Sequence, residues 1–408
     1  MSGHGRRHCG AWAWVLALAG LGCGPAGEPV APAGEPEIDG DEVPRGWRAP
    51  AGPCDLDPPA PSRLVLTTTD FVTGAITAVD LEDGSVEPDV AVGSTDAVPF
   101  GHDGRVIVLH RYQLDRIDVL DPESWSLMAQ HAVPSEGPSA NPHAVAFDAE
   151  GHAWVTSFAE PTLLALDLER PPAEAEVARV DLSGFADADG NPEASLAVAC
   201  GDLLLITAQR LDPTFVPHGP DVLVAIDPAR AEPIDLDPGT AVLDPLPLLG
   251  GWVRQLRRDP SDPEGRTLLA LSTGLERIEL RSGRRSWAVA PATMAEAGIG
   301  GRLQPQAFDV DEAGELAYLA AYDSDFSQVQ LYRVSLVPDG EPAVPEPFAA
   351  GFDSVERTLE LVGTSLWYGS TRSGAPGLWR FDVSGDVPRR VAGPIRTGLA
   401  PYSMVAIP

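Results

Sequence analysis

One structural unit recurs along most of the chain and constrains the fold more than any other feature. Each unit has an apolar strand, a turn with Asp-Gly or Glu-Gly, a second apolar strand, a polar loop and a third strand. The second strands start near residues 64, 106, 153, 203, 267, 316 and 365, at intervals of 42 to 64 residues. Short strands repeated at such intervals are typical of β-propellers. Because no long amphipathic segment separates them, alternating helices and strands are disfavoured.

The two ends of the repeat region predict how a ring would close. The first unit begins directly at a second strand, 64–69, with no first strand before it. Residues 401–407 resemble the first strands that begin at Pro142 and Pro305. We therefore predict an all-β, seven-bladed β-propeller over residues 62–408, closed by the C-terminal strand pairing into the first blade. A six-bladed ring is the alternative, if 252–291 or 355–390 is not a blade.

The third strands of four units share an ending, as in Val79-Asp80-Leu81, Leu120-Asp121-Pro122, Leu166-Asp167-Leu168 and Ile226-Asp227-Pro228. Over residues 63–407 the chain thereby resembles the YVTN-type propeller repeats of bacterial surface and periplasmic proteins. The literal Tyr-Val-Thr-Asn string is absent, and units five and six depart from the Asp ending, with Leu280 and Ser335 near that place. The resemblance implies the fold but no single activity, because the family includes binders and enzymes.

The N-terminus has the pattern of an export signal. Arg6 and Arg7 precede an apolar run, 12–21, that is too short to span a bilayer. The run leads to Cys23 through Leu-Ala-Gly-Leu-Gly, which resembles a bacterial lipobox and predicts a signal peptide over 1–23 with lipidation of Cys23. Ordinary signal-peptide cleavage is the alternative. The expected location is the outer membrane or cell surface, with the periplasm as the alternative.

Residues 24–61 are rich in Pro, Gly, Ala and acidic residues, which predicts an extended, mobile tether. Of the four cysteines, Cys9 leaves with the signal peptide and Cys23 would carry lipid. In an oxidising compartment the remaining pair, Cys54 and Cys200, favours a disulfide that pins the tether across the bottom of the ring. Two free thiols are the alternative.

The charge of the chain restricts its partners. With 60 acidic residues against 28 basic ones, all of them arginine, the formal net charge is −32. Such a surface repels nucleic acids and anionic lipids, so we expect no nucleic-acid partner and membrane contact only through the lipid anchor. The absence of lysine also excludes P-loop and Schiff-base chemistry.

A binding site is expected on the top face, which is formed by the loops between second and third strands and the loops between blades. The candidate binding residues on these loops and nearby strand ends are His143, Gln209, Arg210, Arg254, Tyr322, Asp323, Arg372 and Tyr402. The same face carries Asp70, Phe71, His110, Arg111, Tyr112, Asn141 and Gln304. Arginine with tyrosine suits carboxylate or sugar-like ligands, so the expected partner is a small molecule or a protein bound there.

No catalytic motif of the common hydrolase, metalloprotease or haem-binding types is present, which favours a binding or scaffold module over an enzyme. The alternative is a lactonase-like hydrolase at the top mouth of the channel, with His143, Arg210 and Asp323 as the nearest candidates for catalysis. No cofactor is expected. The loop 187–191 has the ligand spacing of a calcium loop but lacks the downstream Glu, so calcium is the alternative to a plain turn.

Overall fold

The structure is a computed structural model that describes residues 38–56, 60–212, 214–216, 219–337, 343–354 and 357–408. Seven antiparallel sheets, each with four blade strands, form a ring. The predicted seven-bladed β-propeller is therefore confirmed, and the six-bladed alternative is excluded. The predicted signal peptide and the lipidation site Cys23 lie outside the described residues. In the described part, no helix is long and apolar enough to cross a membrane.

The strands are numbered in chain order and grouped here by their place in blades one to seven. The inner strands, which surround the channel, are Ala400–Ile407 (β30), Val98–His102 (β5), Pro142–Phe147 (β9), Ala194–Cys200 (β13), Gln255–Arg258 (β18), Pro305–Val310 (β22) and Leu359–Val362 (β26). The second strands are Arg63–Thr69 (β2), Arg105–His110 (β6), Ala153–Ser157 (β10), Leu203–Ala208 (β14), Thr267–Leu271 (β19), Leu316–Tyr322 (β23) and Ser365–Ser370 (β27).

The third strands are Gly74–Asp80 (β3), Arg116–Leu120 (β7), Thr162–Leu166 (β11), Val222–Asp227 (β15), Leu275–Glu279 (β20), Val329–Ser335 (β24) and Gly377–Asp382 (β28). The outer strands are Val86–Gly93 (β4), Leu127–Ala132 (β8), Glu176–Asp181 (β12), Glu232–Ile234 (β16), Arg284–Val289 (β21), Glu346–Phe352 (β25) and Arg389–Ile395 (β29). Outside this pattern lie Cys54–Asp55 (β1), Leu246–Pro247 (β17), the helix Pro291–Glu296 (α1) and the 3₁₀ turns Pro172–Glu174 and Ser183–Phe185.

Strand position within a blade explains the apolar pattern of the sequence. A second strand such as β14 is buried at all six residues, because neighbouring blades cover both faces of its sheet. An outer strand such as β4 is mostly exposed or half-buried. Buried side chains from adjacent blades pack together, so the core is divided among the interfaces between blades. The continuous apolar runs in the sequence are therefore the middle strands of the blades.

The ring closes through the C-terminal strand. β30 pairs with β2 in antiparallel register, from Arg63 opposite Ile407 to Thr69 opposite Ala400. The first blade therefore takes its inner strand from the end of the chain and its other three strands from the beginning. This confirms the predicted closure and satisfies the inner edge of β2.

The N-terminal segment 38–56, named the strap here, is attached to the bottom face, where first and second strands are joined. Cys54 and Cys200 form the predicted disulfide, and β1 pairs with the inner strand β13 of blade four. The indole Nε1 of Trp47 donates a hydrogen bond to the carbonyl of Leu280 at 2.9 Å, and its ring packs against the core between blades four and five. These contacts attach the strap to the ring, and the mobility expected for residues 24–61 stays a prediction.

Candidate functional site

A cavity of about 180 Å³ lies at the centre of the ring. Inner-strand residues of blades one to five and blade seven line it, and Asp55 and Leu56 of the strap contribute to its bottom end. A second cavity of about 600 Å³ lies at the bottom of blades five to seven and shares Leu56. The strap therefore runs across the bottom of the channel, and the predicted binding residues must be sought at the top mouth.

Arg111 and Tyr402 meet at this mouth. Arg111 begins the loop after the second strand of blade two, and Tyr402 lies buried on the inner strand of blade one. The Arg111 guanidinium donates one hydrogen bond to the Tyr402 hydroxyl and another, of 3.0 Å, to the carbonyl oxygen of Asp96. Burial raises the pKa of the Asp96 carboxyl, and the charge of Arg111 opposes this effect. The ring closure thus brings residue 402 beside a loop of blade two.

His143 lies near the top of the inner strand of blade three. Its imidazole stacks on the Phe158 ring, with ring centres 4.3 Å apart. Burial lowers the pKa of His143 well below its usual value, and the charges of Arg111 and Arg357 lower it further. The imidazole is therefore neutral at neutral pH. The positive charges of two guanidinium groups, those of Arg111 and Arg357, thus both act on the His143 ring.

Arg357 was not among the residues singled out from the sequence. It lies two residues before the inner strand of blade seven and lines the channel cavity. Its carbonyl accepts a hydrogen bond of 3.0 Å from the backbone N–H of Met404. Arg254 and Gln304 occupy nearly the same place in blades five and six, directly before the inner strand. This shared position is the signal by which sequence reasoning could have found Arg357.

The channel mouth, defined by Arg111, His143, Arg357 and Tyr402, combines two permanent positive charges with a neutral imidazole. Guanidinium groups bind carboxylates through paired N–H donors, so the mouth favours an anionic ligand. A neutral imidazole can accept a proton from water or from a ligand hydroxyl. The arrangement can therefore bind a carboxylate, and it contains one side chain able to act as a base.

A buried charge cluster lies lower in the channel wall, where the inner strands of blades five, six and seven adjoin. The Arg257 guanidinium donates to Glu360 at 2.6 Å and lies 3.5 Å from an Asp309 oxygen. Burial raises the pKa of Glu360 to about 8, a shift that Arg257 opposes and Asp309 reinforces. Glu360 therefore keeps its proton at neutral pH. The three residues come from three different blades, so no local sequence pattern links them.

Three other predicted site residues hold loops of the top face together. The side-chain amide of Gln209 donates to the carbonyl of Val253 at 3.4 Å. The Arg210 guanidinium donates to the carbonyl of Pro220 at 3.0 Å. The Tyr322 hydroxyl donates to the carbonyl of Ser354 at 2.8 Å and also bonds the Asp353 carboxyl. These contacts give each side chain a structural role between neighbouring loops or blades.

The remaining predicted residues are placed on three different blades. Asp323 accepts a hydrogen bond of 2.7 Å from the N–H of Ser327 within its own loop on blade six. Arg372 is the second residue of the loop after the second strand of blade seven, and Arg254 directly precedes the inner strand of blade five. Of the predicted binding residues, the structure thus gathers His143 and Tyr402 around Arg111.

The loop 187–191 folds as a turn fastened by its own side chains. Asp189 accepts a hydrogen bond of 2.8 Å from the N–H of Asn191, whose amide donates to Glu193 at 2.8 Å. Burial raises the pKa of Glu193 to about 7. Among the described residues, one other group has metal-ligand spacing, formed by Asp148, Glu150 and His152.

This second group lies in the turn between the first two strands of blade three. The Asp148 carboxylate there accepts a hydrogen bond of 2.8 Å from the Trp154 indole N–H. Its other oxygen accepts the backbone N–H groups of Glu150 and His152, each at 2.9 Å. Both carboxylate oxygens thus fasten the turn, and calcium binding by the chain stays a prediction.

Comparison with known proteins adds information about the fold alone. The sequence matches no family model and no curated protein. Its structure is similar to the periplasmic gluconolactonase PpgL of Pseudomonas aeruginosa, with TM-score 0.56 and 17% identity over 85% of this chain and 99% of that one. A candidate 6-phosphogluconolactonase of Bacteroides fragilis gives TM-score 0.57 and 10% identity over 86% and 98%. At such identities the likeness supports a propeller architecture and leaves activity open.

Proposed function

We propose that this chain is an exported, lipid-anchored propeller that binds a small carboxylate at the channel mouth. The observation that carries the proposal is the placement of two guanidinium groups at the mouth: Arg111 donates to the Tyr402 hydroxyl, and Arg357 lines the channel cavity. The charges of both also lower the pKa of His143. Two guanidinium groups and a tyrosine hydroxyl at the end of a closed ring favour an anion over a cation or a neutral ligand. A carboxylate would receive hydrogen bonds from the guanidinium groups and pack beside the imidazole.

The proposed location, outside the cytoplasm on a lipid anchor, is consistent with a ligand-binding site at the channel mouth. The lipobox-like ending at Cys23 would place a lipid on the N-terminus, and the Cys54–Cys200 disulfide fits an oxidising compartment. The strap joins the ring at its bottom face, so a membrane anchor on residue 23 would favour a channel mouth that faces away from the membrane. Extracellular or periplasmic solutes would then reach the mouth directly.

Titration calorimetry on the exported full chain tests the carboxylate proposal. We expect gluconate or glucuronate to bind, and glucose, which has no charge, to bind at least tenfold more weakly. Arg357→Gln should weaken carboxylate binding at least tenfold, whereas Arg372→Gln, on the same face, should leave it unchanged. Equal binding of glucose and gluconate, or an unchanged affinity in R357Q, would contradict the proposal.

A lactonase-like hydrolase is the second candidate, favoured by the neutral imidazole beside two positive charges. His143 would take a proton from water as that water attacks the lactone carbonyl, and Arg111 or Arg357 would stabilise the oxyanion. When the ring C–O bond breaks, the leaving oxygen takes the proton back from His143 and a hydroxy acid is released. The structural similarity to the P. aeruginosa gluconolactonase supports the fold required for such a site.

Hydrolysis of glucono-δ-lactone at constant pH distinguishes the two candidates. An enzyme should exceed the spontaneous rate and lose that excess in His143→Gln while R372Q retains it. If the wild-type chain binds gluconate but adds nothing to the spontaneous rate, the binding module is supported and the hydrolase is eliminated.

A further inference from the structure

Three phenylalanines project from loop tips on the top face, outside the channel mouth. Phe71, Phe215 and Phe326 lie in the loops between second and third strands of blades one, four and six. These residues are 46%, 43% and 48% exposed. Two of them are followed by exposed valines, Val72 and Val216. We name Phe71, Phe215 and Phe326 the phenylalanine tips.

All three tips have a left-handed backbone conformation. Their φ angles are 64°, 59° and 51°, a region in which a bulky side chain is unfavourable and glycine is preferred. On the bottom face, the six turns between first and second strands place glycine at positive φ, as at Gly104 and Gly363, whereas two turns between third and outer strands place Trp125 and Ala231 there. Three loops on the opposite face instead place phenylalanine in this conformation. The Phe326 ring lies 5.7 Å from the ring of buried Tyr322, but all three phenylalanines stay close to half exposed. An unfavourable backbone conformation repeated at three exposed loop tips points to function.

An aspartate at the start of each loop fixes the tip. Asp70 accepts backbone N–H groups of Val72 and Thr73 at 2.9 and 2.6 Å. Asp212 accepts those of Thr214 and Val216 at 2.8 and 3.0 Å. Asp323 accepts that of Ser327 at 2.7 Å. Because side chains of the loop itself hold the backbone, each ring is presented in a fixed position before any partner binds.

The spacing of the tips around the ring indicates the size of the occupant. Blades one, four and six are separated by three, two and two steps around a ring of seven. The tips therefore surround the channel mouth rather than forming one pocket, and a small ligand cannot contact all of them. An occupant that uses all three must extend across the top face, as a folded protein does.

Charge indicates the chemistry of this occupant. Hydrogen bonds from Thr73 and Val72 lower the pKa of Asp70. Burial raises the pKa of Asp323, but hydrogen bonds from Ser327 and Gln328 together outweigh this effect and lower it. Ionised carboxylates thus lie beside two of the tips, on a chain of net charge −32. This charge repels anionic membranes and a second copy of the chain, and attracts basic proteins.

We propose that the phenylalanine tips form a docking surface for a basic protein that covers the top face. Each ring would enter an apolar pocket of the partner, and the neighbouring aspartates would face its arginine or lysine side chains. Exposed aromatic anchors with a polar surround are the usual centres of binding energy in protein interfaces. The proposal is independent of the carboxylate site, because none of the tips belongs to the channel mouth.

Glycine substitution separates an interface role from a structural one. The triple variant Phe71→Gly, Phe215→Gly and Phe326→Gly relieves three unfavourable conformations, so its urea midpoint should equal or exceed that of the wild type. The control is Val387→Gly, which changes a residue 75% exposed on the bottom face. A clearly lower midpoint in the triple variant alone would show that the rings support the fold, and would overturn the proposal.

Photocrosslinking identifies the occupant. Benzoyl-phenylalanine is placed singly at 71, 215, 326 or 387 in the full chain, exported in the source cell. We expect the three top positions to label one common basic protein and position 387 to leave it unlabelled. That protein, once purified, should bind the wild type and V387G alike, bind the triple glycine variant at least tenfold more weakly, and lose affinity as salt is raised.

Other outcomes reject the assignment. Different adducts at the three top positions, no adduct, or the same adduct at 387 would show that the tips share no partner. Adducts between two copies of the chain would identify self-association instead. Binding of the purified chain to vesicles of phosphatidylethanolamine and phosphatidylglycerol (3:1), lost in the triple variant, would identify a lipid surface instead.

Discussion

Individual buried acids make the stability of this propeller depend on pH. Burial raises the pKa of Glu360 to about 8, and burial also raises the pKa values of Asp221 and Glu276 to about 7. The folded chain therefore holds protons that the unfolded chain releases once the pH exceeds the ordinary carboxyl range. Stability from these groups is fully present at low pH and is lost as the pH rises toward their folded-state pKa values.

The first prediction concerns Glu360→Gln, which keeps the shape of the side chain and removes its titration. Each unit by which folding raises a pKa corresponds to about 1.4 kcal/mol. Between pH 5 and pH 8, we expect the free energy of unfolding of the wild type to fall by on the order of 2 kcal/mol more than that of E360Q. Urea unfolding at several pH values measures this difference. The exposed control Glu232→Gln should follow the wild type, and an unchanged pH slope in E360Q would refute the assignment.

The same residues show what sequence reasoning can and cannot reach at this level. His143 and Tyr402 could be placed at the mouth because each lies near the top of a recognisable inner strand. Arg257, Asp309 and Glu360 meet only because three blades adjoin, and their separate strands carry no shared motif. A repeat pattern gives the position of a residue within its blade, but not which side chain lies opposite it on the next blade.

At the level of elements, composition did not reveal the contacts of the strap, whereas cysteine counting predicted its disulfide. Residues 38–56 have the proline- and acid-rich composition of a mobile linker, yet Trp47 packs into the core between blades four and five. The backbone N–H of Gly46 also donates to the carbonyl of Leu236 at 2.6 Å. A few anchoring contacts decide whether a segment docks, and composition averages over them. The disulfide could be predicted because only two cysteines remained after the signal region was set aside.

The second prediction concerns this disulfide. Its cysteines are 146 positions apart, so removing the bond frees a long loop in the unfolded chain. We expect Cys54→Ala with Cys200→Ala to lower the free energy of unfolding by about 2–4 kcal/mol in urea titrations. Reductant present throughout unfolding should lower the free energy of unfolding of the wild type to that of the double variant. It should leave the free energy of unfolding of the variant unchanged. Equal stability of the oxidised wild type and the variant would show that the bond only joins segments already fixed by packing.

At the level of the whole molecule, the ring depends on a pairing between opposite ends of the chain. β30 covers the inner edge of β2, and its Tyr402, Met404 and Ile407 side chains are each at most 5% exposed. Without β30 the strand β2 would present an unpaired edge whose apolar side chains face the channel and the neighbouring blades. Such an edge favours association with other chains.

The last prediction is that deleting residues 400–408 leaves a ring that cannot close. The deletion removes a seven-position ladder and its buried side chains, so we expect loss of the cooperative unfolding transition or aggregation during size-exclusion chromatography. Deletion of the exposed Pro408 alone is the control and should leave the transition unchanged. A synthetic peptide of residues 400–408 should restore part of the lost stability by pairing with β2. A truncated chain as stable as the intact one would mean that the six complete blades support the fold without the shared one, and that Tyr402 reaches the mouth without any role in holding the ring together.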